Sequence, residues 1–138
     1  MRPFIFFLVS SLALAGCSRR NTIDRNEARS EIRSALSFAA ESEIFIDFVR
    51  RGQATRQYAE GHAAYLEDAV KRSAKELEQE VPEPGTEKAV RECRTQLNSL
   101  ARELSQVPAA IKEDDALAAS RDRIAEVRKA LEAAQTGL

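Results

Sequence analysis

The chain has 138 residues, 43% hydrophobic and 31% charged, and its 21 Lys and Arg against 22 Asp and Glu leave a net charge of −1. That balance excludes a nucleic-acid binder built on phosphate attraction, and the length admits one modest domain rather than two. With one histidine and two cysteines, zinc centres and a disulfide framework are excluded as well.

Residues 1–16 differ in kind from the rest. Met1 and Arg2 bring positive charge, and Pro3 to Gly16 run apolar or small with no acid, the layout of a secretory signal. A membrane span needs about 20 apolar residues; this run is shorter, holds Ser10 and Ser11, and gives way at once to Arg19 and Arg20. The segment closes on Leu14-Ala15-Gly16-Cys17, which resembles the lipobox of bacterial lipoproteins. The resemblance covers the signal alone. It implies cleavage between Gly16 and Cys17, with a diacylglycerol on the Cys17 sulfur and a further acyl chain, such as palmitate, on the new amine. Two or more chains make attachment stable, at about 0.8 kcal/mol per buried CH₂. Ser18 stands where an inner-membrane retention signal would have aspartate, so the expected location is the outer membrane, facing the periplasm.

Residues 17–24 read as a lipidated N-terminus and polar tether, and 25–138 as a helical domain. The first helix, about 25–51, carries Ile32, Leu36, Ala40, Ile44 and Phe48 on one side and Phe38, Phe45 and Val49 on another, a breadth that predicts the most buried helix. Gly52 after Arg50 and Arg51 looks like a helix-ending glycine. The second helix, about 54–80, repeats Ala59, Ala63, Leu66, Val70, Ala74, Leu77 and Val81, with Glu67–Lys71 and Asp68–Arg72 as i,i+4 pairs. Pro82 and Pro84 stop it, and Thr86 is placed to cap the next. There Val90, Cys93, Leu97, Leu100, Leu104 and Val107 form one stripe. A fourth helix, about 113–135, uses Leu117, Ile124, Val127 and Leu131 and opens on Glu113, Asp114 and Asp115, which suit the helix dipole.

The expected fold is all-α, an antiparallel four-helix bundle after a cleaved signal peptide. The alternative is one long helix over 25–80 plus a helical hairpin, which would predict a dimer. Cys93, alone once Cys17 is lipidated, reads as a buried small hydrophobe.

Candidate chemistry is sparse. Tyr58, His62 and Tyr65 make an i, i+4, i+7 stripe, and Glu43 and Asp47 lie one turn apart among apolar residues. Together these five form a candidate ligand site if the first two helices pack as an antiparallel hairpin. Arg50 and Arg51 also lie within reach of Asp47, so an ion ladder is the plainer expectation. Arg50, Arg51 and Arg56 form a basic cluster that could contact a partner, although Glu113 to Asp115 should arrive at the same end. No metal set, Gly-rich phosphate loop or nucleophile elbow is present, so neither cofactor nor enzyme activity is expected. The expected role is a membrane-anchored, non-enzymatic interaction or structural module of the bacterial envelope with a protein partner; a small-ligand or ion-binding bundle is the alternative.

Overall fold

A computed structural model of the chain describes residues 21–138. In order these form β1 (Thr22–Ile23), α1 (Arg25–Arg50), α2 (Arg56–Gln79), β2 (Val81–Pro82), α3 (Glu87–Ala110) and α4 (Asp114–Thr136). The signal-like segment, Gly16 and Cys17 lie outside the described residues.

The molecule is an all-α four-helix bundle. Late residues of one helix meet early residues of its neighbour: Phe45 of α1 meets His62 of α2, Glu103 in the later half of α3 meets Arg123 in the first half of α4, and Arg50 at the end of α1 meets Asp114 at the start of α4. The helices therefore run up, down, up, down. α2 packs chiefly on α3 and α1 chiefly on α4, and small core residues on α2, Ala59, Ala63 and Ala74, permit its close approach. The core is aliphatic, with Leu66, Leu97, Leu100, Leu104, Ile124 and Leu131 wholly buried. The stripes read from the third and fourth helices are buried throughout. No described helix is long and apolar enough to cross a membrane.

The single long helix over 25–80 does not form. Gly52 adopts φ +68°, a left-handed conformation that costs other residues about 1 kcal/mol or more. The Gly52 N–H donates to Val49 O (2.9 Å) and the Gln53 N–H to Phe48 O (3.2 Å), which together make a Schellman ending. Thr55 then caps α2 through its side chain, which accepts from the Tyr58 N–H.

Three other expectations are corrected. The tether stops short of residue 24: Val81 N–H donates to Asn21 O and Glu83 N–H to Ile23 O, both at 3.0 Å, in a two-residue parallel pairing, and Ile23 is buried in the core. Asp24 follows as the cap of α1, with Asp24 Oδ1 accepting from the Asn26 and Glu27 N–H groups while Glu27 Oε2 accepts from the Asp24 N–H. Thr86 does not cap α3 with its side chain; its hydroxyl donates back to Glu83 O at 2.8 Å. Glu67 and Lys71 do pair, whereas Asp68 and Arg72 do not come within ion-pair distance.

The run Ile32, Leu36, Ala40, Ile44, Phe48 is the most instructive departure. Each four-residue step overshoots a helical turn by about 40°, so the run winds off the core, and Ile44 ends 71% exposed. The true core line of α1 alternates threes and fours through Ile32, Ala35, Ala39, Ser42, Ile46 and Val49. α1 is thus not sealed all round, and Val81 at the end of the α2 run is also exposed.

Candidate functional site

The side chains that the core does not absorb gather on one seam. Because α1 ascends to Gly52 and α2 descends from it, Glu41, Phe45 and Phe48 are brought opposite Tyr58 and His62. The His62 ring stacks on Tyr58 (centroids 5.4 Å apart, planes 8° apart) and on Tyr65 (6.0 Å, 26°), and meets Phe45 edge-on at 4.8 Å. Phe48 meets Tyr58 edge-on at 6.2 Å. Such offset and edge contacts are the favourable geometries for rings. His62 Nε2 also lies 3.5 Å from Glu41 Oε1. Phe45 is buried in the core and anchors the group from below, while the two tyrosine rings sit above the core, Tyr58 50% and Tyr65 62% exposed. With Ile44 and Phe48 they account for four of the five exposed large hydrophobic residues of the described chain; the fifth, Val81, is far away at the opposite end.

Glu43 and Asp47 face the other way. Glu43 is buried and its Oε1 accepts from Arg128 Nε at 2.7 Å, while Arg121 stands 3.8 Å from its second oxygen. Asp47 accepts from Arg121 Nε at 3.0 and 3.1 Å, with Arg50 at 3.9 Å. Arg50 continues the series with a two-pronged contact to Asp114, at 2.9 and 3.2 Å. The ion ladder is therefore an interhelical clamp between α1 and α4. Arg121 and Arg128, missed in the sequence, lie seven residues apart and so share a face of α4. That spacing, set against Glu43 and Asp47 in antiparallel register, was the signal that could have found them.

The five candidate ligand residues are consequently split, with Tyr58, His62 and Tyr65 on the α1/α2 seam and both carboxylates engaged across α1/α4. Comparison with protein-family models, curated proteins and solved structures finds no match for this chain. Among the described residues, no group of three His, Cys, Asp or Glu could hold a metal ion.

The basic cluster is largely neutralised: Arg50 by Asp114, the hydrogen bond that also raises the arginine pKa and lowers that of the aspartate, and Arg56 by Glu60 at 2.7 Å. Arg51 alone of the three has no ion-pair partner among the described residues. Cys93 is buried, and burial, with Glu31 adding a smaller push, raises its thiol pKa to about 12, so it has little thiolate character in the folded protein.

Proposed function

We propose that this chain is a lipid-anchored, non-enzymatic contact module of the bacterial envelope, and that the α1/α2 seam is its contact face. The observation that carries the reading is the clustering of Ile44, Phe48, Tyr58 and Tyr65, all exposed, around one ring stack. Scattered exposed apolar residues need no account, but a contiguous patch marks an interaction surface, and tyrosines are favoured there because a large rigid ring loses little entropy on binding. The lipobox-like Leu14-Ala15-Gly16-Cys17 supports anchorage through Cys17. Arg51 stays available at the rim. The basic cluster as a whole is a weaker candidate face, since two of its three arginines already hold acids.

The test is affinity capture of the full-length protein from detergent-solubilised envelopes, comparing the native sequence with Tyr58→Ala/Tyr65→Ala and with Arg51→Ala. Loss of a stoichiometric component in the double tyrosine variant, with the arginine variant nearly unaffected, is expected. Undiminished capture in the tyrosine variant would refute the face. Anchorage has its own readout: Cys17→Ala should abolish incorporation of labelled palmitate and release the protein from the membrane fraction.

A further inference from the structure

The geometry points to a second copy of this chain as the occupant of the α1/α2 face, the two copies related by a two-fold axis running along the bundle. This rests on the reading of that face as a contact surface and names what it contacts.

Gly61 is the starting point. It lies in the exposed interior of α2, where glycine costs about 1 kcal/mol relative to alanine. Nothing in the chain calls for it: its backbone is not left-handed, and a Cβ built there meets no atom within 4 Å. A bare helical position between Tyr58, His62 and Tyr65 leaves a hole in the surface, and small residues in such places let another backbone or side chain come close. The matching projection is Ile44, 71% exposed on α1. Since Phe45 meets His62 and Phe48 meets Tyr58, the antiparallel register puts Ile44 and Gly61 at one level on neighbouring helices.

A projection and a hole at equal height on adjacent helices are self-complementary under one operation. A two-fold axis parallel to the helices sets α1 of each copy against α2 of the other, so each Ile44 seats on the other copy's Gly61. Interfaces of this kind use one patch twice. The same operation keeps both N-termini at the same end, as two copies anchored in one membrane surface require.

Charge agrees with this pairing. Arg29 and Arg33 on α1 and Asp68 and Glu76 on α2 are exposed, and none belongs to an ion pair among the described residues. In the two-fold arrangement Arg29 stands level with Glu76 of the other copy. Arg33 stands level with Arg72 and about one turn from Asp68, so two cross-copy ion pairs, Arg29 with Glu76 and Arg33 with Asp68, are within reach on a face of α2 that also exposes Arg72 and Lys75. The face is also large enough. Two helices of about 24 residues, about 36 Å long and together roughly 20 Å wide, offer on the order of 700 Å² per copy, near the ~800 Å² per partner of a standard interface.

The test is cross-linking in the envelope with full-length chains carrying two different tags. Ile44→Cys in one and Gly61→Cys in the other are both accommodated by the fold, because one site is exposed and the other open. Under mild oxidation the mixed pair should give at least tenfold more disulfide-linked dimer than either variant paired with itself. No mixed dimer, or an equal yield from Ile44→Cys with itself, overturns the proposal. If cross-linking fails while the double tyrosine variant still loses a captured protein, the second copy is wrong and the contact face stands. If both fail, the face itself is wrong.

Discussion

Gly52 and Gly61 should respond to the same substitution with opposite signs. At Gly61 alanine adds a methyl group in open space on a helix, and replaces the poorest ordinary helix former with the best, for a gain of about 0.8 to 1 kcal/mol. At Gly52 the φ of +68° forces an L-residue into the left-handed region, for a loss of about 1 kcal/mol or more. Roughly 120 folded residues at ~2.1 cal/mol/K each give an unfolding entropy near 0.25 kcal/mol/K, so each change should move Tm by about 4 °C. Gly61→Ala should raise it and Gly52→Ala lower it, in thermal melts followed by circular dichroism at dilutions that keep copies apart. A Gly61→Ala protein that melts lower than the native one would show that the fold itself needs the glycine, and would remove the argument for a hole kept open for another copy. A Gly52→Ala protein with unchanged Tm would contradict the Schellman ending, and with it the register of the α1/α2 seam.

The α1/α4 clamp predicts an asymmetry in urea denaturation. Arg128→Ala leaves the buried Glu43 carboxylate with only a distant Arg121 and should cost about 2 kcal/mol, whereas Glu43→Gln frees an arginine that can reach water and should cost about 1 kcal/mol; equal losses would mean that Glu43 is better solvated than its burial indicates. Glu80→Gln should raise Tm at pH 7. The Glu80 pKa is raised by burial first and then by Glu31, Glu27 and Glu76, so the folded state holds the proton more tightly than the unfolded chain. The native protein is therefore penalised at neutral pH and relieved as pH falls towards the ordinary carboxyl value. The gain from Glu80→Gln should shrink over that window, and a gain that grows on acidification would reverse the sign of the reasoning. Cys93 should resist a thiol reagent until the protein unfolds, so labelling of the native protein at the rate of a free cysteine would place it outside the core.

Periodicity was legible where the stripe alternated threes and fours. The six positions from Val90 to Val107 and the four from Leu117 to Leu131 could be read directly, because that alternation holds one face against 3.6 residues per turn. In the first helix a run of strict fours imitated a stripe while drifting around the cylinder, and Ile46, the real core residue, was obscured by large neighbours on both sides. Glycine chemistry pointed to a turn at Gly52 but did not forbid one long helix over 25–80; the left-handed φ at Gly52 is what decides between them. The Asp24-to-Glu27 capping box was equally present in the residue types. Its position ends the tether early. What periodicity could not reveal was pairing across distance: an ion ladder within the first helix was the plain expectation for Asp47, but the main partners of Glu43 and Asp47, Arg128 and Arg121, stand more than seventy residues away, and only the antiparallel placement of α1 and α4 brings them together. The ring stripe of Tyr58, His62 and Tyr65 was visible, but its exposure depended on how far Phe45 and Phe48 extend over the seam.

The short pairing of β1 with β2 gives the bundle a particular mechanical character. A pull on the chain before Asn21 does not reach α1 first. It loads the backbone hydrogen bonds to Val81 and Glu83 and the buried Ile23 side chain, and so passes into the joint between α2 and α3 before the capping box of α1 feels it. Tension at the N-terminus is thereby divided between two distant parts of the sequence. The helix nearest the handle is shielded from being peeled away one turn at a time, and the seam formed by α1 and α2 is held in register under load.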